Sequence, residues 1–131
     1  MKRPPIELRL VCAGSRDERI VVRWKEALGL VMPLVDELVD MYYRTYRDVV
    51  IDVTRVGTLR DELETLRAAV ETRRADDLIH ERRIRARDAA TRARLVAPLL
   101  EADPDVIRLR ELVAICDEAI AERAPLAWTG D

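Results

Sequence analysis

Apolar residues recur along most of this chain at intervals of three and four, the spacing of one helical face, and alternate with polar ones only near its start. Ile6-Glu7-Leu8-Arg9-Leu10-Val11-Cys12 has the period of two of a half-buried strand, entered through Pro4 and Pro5 and closed by Ala13-Gly14-Ser15. Residues 19–24 fit either the return strand of a hairpin or the opening of a helix, because Ile20, Val21 and Val22 form a β-branched run. Helix is preferred: Ser15 with Glu18 three residues on reads as a capping box, with Asp17 and Glu18 in the first turn.

From there Ile20, Trp24, Leu28, Val31, Val35, Leu38, Tyr42, Tyr46, Val49, Val53 and Val56 form one stripe over roughly ten turns. Pro33 removes a backbone hydrogen bond and crowds the preceding turn, so a kink or break is predicted between Gly29 and Pro33. Gly57-Thr58 suits a helix stop followed by an N-cap, with Asp61 and Glu62 in the next first turn. A second helix is predicted over 59–100, first on Leu59, Leu63, Leu66 and Val70, then on an alanine-rich seam of Ala75, Leu78, Ala86, Ala89, Ala93, Val96 and Leu100. Asp103-Pro104-Asp105 opens a third helix, 104–123, whose wide apolar face calls for two neighbours. Ala124-Pro125 ends it, leaving a tail whose Trp128 needs a groove or a partner.

The fold expected is mainly α, a single domain over 1–131: a long antiparallel helical hairpin, a third packed helix and a short N-terminal extended segment. Helices of about 40 residues would reach roughly 60 Å, far past a 20-residue neighbour. The uncovered seam predicts a homo-oligomer, most simply a two-fold dimer.

Composition agrees with helix. Of 131 residues, 49% are apolar and 37% charged, with only four glycines and no Asn, Gln or Phe. Two cysteines, Cys12 and Cys116, are too few for a disulfide scaffold and read as reduced, packed thiols. No apolar run matches a signal peptide or a membrane span, so a cytoplasmic protein without membrane contact is expected. The net charge of −2 gives no global attraction to nucleic acid. Locally, however, residues 73–94 carry eight arginines against four acids, while 101–131 carry eight acids against Arg108, Arg110 and Arg123.

Candidate chemistry is sparse. His80 stands one helical turn from Asp77, but a di-iron bundle or a zinc-protease helix requires a second histidine, so a surface or seam position is expected. Ser15 lacks a glycine-flanked elbow and reads as an N-cap. Asp36-Glu37, Asp61-Glu62, Asp76-Asp77 and the Glu37/Asp40 spacing suit Mg²⁺, yet Glu37 and Asp40 lie off the apolar stripe, where a solvated face is expected. The run from Leu109-Arg110-Glu111-Leu112 resembles the opening helix of all-helical chorismate mutases, a pattern that any amphipathic helix carries, and no function is taken from it. No cofactor, metal or catalytic residue is assigned.

The arginines therefore carry the functional reading. On one continuous helix Arg73, Arg83, Arg87 and Arg94 border one flank of the alanine seam and Arg74, Arg85 and Arg92 the other, with Arg82 inside it. Asp105, Glu111, Asp117, Glu118 and Glu122 of the last helix are the expected counterions. Tyr43, off the main stripe, is a candidate partner anchor, as is Trp128. These residues predict a non-enzymatic interaction module, an adaptor, assembly factor or small regulatory protein, that self-associates and binds a protein partner. The alternative is a nonspecific nucleic-acid-binding accessory subunit using 73–94, and the third reading is a small all-helical enzyme.

Overall fold

The computed structural model describes residues 8–13, 16–45 and 49–130. In order these form β1 (Leu8–Ala13), α1 (Arg16–Leu28), α2 (Pro33–Thr45), β2 (Val49–Ile51), α3 (Val53–Glu81), α4 (Ala89–Glu101), α5 (Pro104–Glu122) and β3 (Leu126–Gly130). The protein is mainly α, and its helices pack against one another. Among the described residues no helix is long and apolar enough to cross a membrane.

The backbone between 19 and 24 is helical, which decides the ambiguity of that β-branched run. Ser15, the expected cap, lies outside the described residues. Glu18 is 4% exposed and accepts a hydrogen bond from the Tyr43 hydroxyl at 3.1 Å. The break near Pro33 is present: α1 stops at Leu28, Gly29 turns left-handed at φ 62°, and Pro33 is the first residue of α2. Glu62, expected in a helix first turn, does something else. Its carboxylate accepts the amides of Leu34 and Val35 at 2.9 and 3.0 Å, capping α2 from a neighbouring helix.

The expected stripe from Ile20 to Val56 is not one face. Val49 and Ile51 are buried and Val50 between them is 60% exposed, the alternation of a strand, so this β-branched cluster departs from the helical spacing around it. Tyr46 lies outside the described residues. α3 then starts at Val53, and Gly57, expected to stop a helix, sits in its second turn, where an added methyl group would meet nothing within 4 Å.

A small sheet of order β1-β3-β2 joins the beginning, middle and end of the chain. β3 is its central strand, parallel to β1 and antiparallel to β2, with Trp128 in register with Val11 and Val49. Trp128 is 1% exposed, so the tail expected to need a groove or a partner is taken up by the core of its own chain, and Trp128 is no partner anchor.

α3 and α5 make the most extensive helix contact and run antiparallel, as the order of their cross-links shows: Arg60 with Asp117, Glu71 with Arg110, and Arg74 with Asp103. Leu59, Leu63, Leu66 and Val70 are buried in the same core as Val106, Leu109, Leu112 and Cys116. Burial first, then the neighbouring Asp117 carboxylate, pushes the Cys116 thiol up to about 12, so it packs as a neutral group. The Cys12 side chain lies outside the described part of the structure.

The ends of α3 and α5 can be tested by their effect on stability. Asp103 caps α5 by accepting the amides of Asp105 and Val106, both at 3.1 Å, and also holds Arg74 at 2.8 Å. Asp103→Ala removes the cap and the nearest of the three carboxylates that Arg74 meets, so denaturant unfolding should show a loss of about 1–2 kcal/mol. Gly57→Ala should gain about 0.5–1 kcal/mol in the same assay, because the position is helical and has open space for the methyl.

Candidate functional site

The arginine-rich segment does not form the continuous helix that would give it two flanks. α3 ends at Glu81 and α4 begins at Ala89. Between them Arg83 donates its amide to His80 O at 3.3 Å and Ile84 to Ile79 O at 3.0 Å, with Arg83 left-handed at φ 51°. This is a Schellman stop with arginine where glycine is usual. The charges contribute: continuing the helix would stack Arg83 over Arg87 and Arg82 over Arg85, like charges one turn apart that cost a few tenths of a kcal/mol per pair. Asp88 starts the next helix, accepting the Thr91 amide at 2.7 Å and its hydroxyl at 3.1 Å. Those bonds, with Arg92 close by, hold the Asp88 carboxyl below the usual carboxylate range.

The break divides the eight arginines into two groups. Arg73 and Arg74 pair within the chain, Arg73 with Asp77 and Arg74 with Asp77, Glu81 and Asp103. Arg82, Arg83, Arg85, Arg87, Arg92 and Arg94 are all exposed, and among the described residues none makes an ion pair or a side-chain hydrogen bond. Of the counterions expected for them, Asp105 meets Arg23 and Trp24, Glu111 meets Arg108 and Asp117 meets Arg60, while Glu118 and Glu122 are exposed farther along α5 and reach none of the six. The seam of interhelical ion pairs is thus realised only as far as Arg74. Beyond it, residues 82–94 hold six arginines and one acid, Asp88, which is occupied by Thr91.

Sequence spacing did not reveal the shape of this corner. The Schellman turn bonds the backbone of Ile79 to that of Ile84, and both half-buried side chains line a cleft of about 520 Å³ with Arg85, Ala86, Arg87 and Arg92. The alanine seam is split with the helix: Leu78 and Val96 are buried, whereas Ala89 and Ala93 are exposed. The N-terminus of α4, which would attract an anion, is already satisfied by Asp88. Any anion held at the corner therefore has to be held by guanidinium groups.

The other candidates lie elsewhere. Tyr43 is 51% exposed, packs edge-on against Tyr42 at 5.5 Å, and lines a separate cleft of about 770 Å³ on α1. Its bond to Glu18 raises its pKa above that of a free phenol. Within that cleft Arg23 pairs with Asp105, and Glu18 accepts from Tyr43. His80 is exposed, Glu37 and Asp40 pair with Arg55 and Arg44, and among the described residues no group of three or more His, Cys, Asp or Glu could hold a metal. Trp128 belongs to the core and to neither cleft.

Comparison of the chain with protein-family models, with curated proteins and with solved structures finds no match.

Arg83 gives the corner a stability signature. A non-glycine residue in the left-handed region costs about 1 kcal/mol or more. Arg83→Gly should therefore leave the protein as stable as the parent or about 1 kcal/mol more stable, measured by denaturant unfolding. A loss of stability would mean that the Arg83 side chain holds the corner together.

Proposed function

We propose that the protein is a non-enzymatic helical interaction module, an adaptor, assembly or small regulatory protein of the cytoplasm, whose recognition surface is the arginine corner at 82–94. The observation that carries this reading is the lack of counterions there in a chain that pairs its other helix-packing arginines closely. Six exposed guanidinium groups that share a single acid, Asp88, repel one another until an anionic partner arrives. The one hydroxyl and one carboxylate of the corner, Thr91 and Asp88, are bonded to each other, which favours recognition over chemistry.

Self-association stays within the proposal on a different surface. The ends of the long helices do not supply the reason, since α3 spans about 43 Å and is packed by both α4 and α5. Exposed Met41, Tyr43, Val50 and Val53 support it instead, on α2 and on β2 and the start of α3, each of which contacts α2. A second reading, nonspecific nucleic-acid binding, gains from the same solvent-facing arginines, because phosphate contact requires them unpaired and accessible.

Light scattering with absorbance at 260 and 280 nm, at low and high salt, separates the two readings. The interaction module should be a salt-tolerant dimer or larger oligomer free of nucleic acid. A monomer that carries 260 nm absorbance at low salt and sheds it at high salt supports the second reading and overturns the first.

A further inference from the structure

The corner is not charge alone. At its centre the α3 stop brings the backbone of Ile79 against that of Ile84, and these side chains with Ala86 give the cleft an apolar floor. Arg85, Arg87 and Arg92 form its rim, and Leu95, 46% exposed, follows on α4. An apolar centre inside a charged rim is the anatomy of a protein-binding surface. A volume of about 520 Å³ accommodates one or two aliphatic side chains and the groups beside them.

We infer that this cleft takes an acidic peptide segment carrying an exposed aliphatic side chain, which seats on Ile79 and Ile84 while flanking Asp or Glu carboxylates meet Arg85, Arg87 and Arg92. The inference rests on the corner being an interaction surface, as proposed above, and names the class of its partner. Charge complementarity fixes the sign of the partner. The floor fixes its kind, since isoleucine offers a phosphate or a ribose nothing, whereas it desolvates well against leucine or isoleucine. Residues 73–94 contain no Phe, Tyr or Trp on which a base would stack, and the one imidazole, His80, does not line the cleft. The bidentate fork of arginine matches a carboxylate as well as a phosphate, so the floor is what discriminates.

The test is fluorescence anisotropy on the full chain with three labelled probes. One is a peptide of about 15 residues with leucines at helical spacing among glutamates. The second has each leucine replaced by serine at the same charge, and the third is an oligothymidylate of similar charge. The leucine peptide should bind, the serine peptide at least about tenfold more weakly, and the oligonucleotide more weakly still with a steeper loss in salt. Replacing Arg85, Arg87 and Arg92 together by Ser should abolish binding of the leucine peptide. Ile84→Ala should weaken the leucine peptide and leave the oligonucleotide unchanged, with the circular dichroism and unfolding midpoint of each variant confirming the fold. Equal binding of the two peptides, or tighter binding of the oligonucleotide, overturns this inference while leaving the corner an anionic-partner surface. Failure of all three probes to bind overturns the corner as a recognition surface as well.

Discussion

The antiparallel packing of α3 against α5 is the constraint on which the rest of the molecule depends. Its apolar centre, Leu59 to Val70 against Val106 to Cys116, gives both helices a buried face, and its edges are closed by Arg60–Asp117, Glu71–Arg110 and Arg74–Asp103. Exposed ion pairs contribute little each, but Arg74 and Asp103 are largely buried, and there the match of charge is a condition of packing. The direction of the pair also fixes where the chain's ends go. α5 delivers β3 into the sheet between β1 and β2, so Trp128 becomes the pin between the helical layer and the strands.

The same geometry explains why the arginine corner lacks partners. Because α5 begins at Pro104, directly after Asp103, its acids extend along α3 only as far as Arg74. Every arginine beyond that point overshoots the acidic helix. The six from Arg82 to Arg94 then face water around a turn that their own repulsion helps to break. A surface of this kind is unfavourable in the free protein and favourable on binding, which is why its composition, and not a pocket rich in catalytic groups, carries the functional proposal.

Much of the fold was legible. The break at Gly29–Pro33, the Asp103-Pro104 start of α5 and the N-terminal strand all follow from local rules about proline, capping and period. What was not legible came from contacts between distant segments. Val49 to Ile51 reads as helix by spacing and becomes strand because β3, from the far end of the chain, offers it a partner. Glu62 reads as an acid in the first turn of its own helix and caps α2 instead. The eight arginines were visible as a cluster, but their two flanks exist only on an unbroken helix. Asp88 with Thr91 three residues on was the available signal that a new helix starts there. Trp128, read as a partner anchor, had no local feature to announce that strands from earlier in the chain would enclose it on both sides.

The most direct measurement is arginine-selective modification of the native protein with phenylglyoxal, mapped residue by residue by mass spectrometry. Guanidinium groups held in buried or bidentate carboxylate pairs react slowly, and free ones react fast. Arg82, Arg83, Arg85, Arg87, Arg92 and Arg94 should be modified first, with Arg74, Arg108 and Arg110 protected until the protein unfolds. Protection of Arg85, Arg87 and Arg92 equal to that of Arg74 would contradict the account, because it would place carboxylates within the chain, or in a second copy of it, at the corner that the structure leaves open.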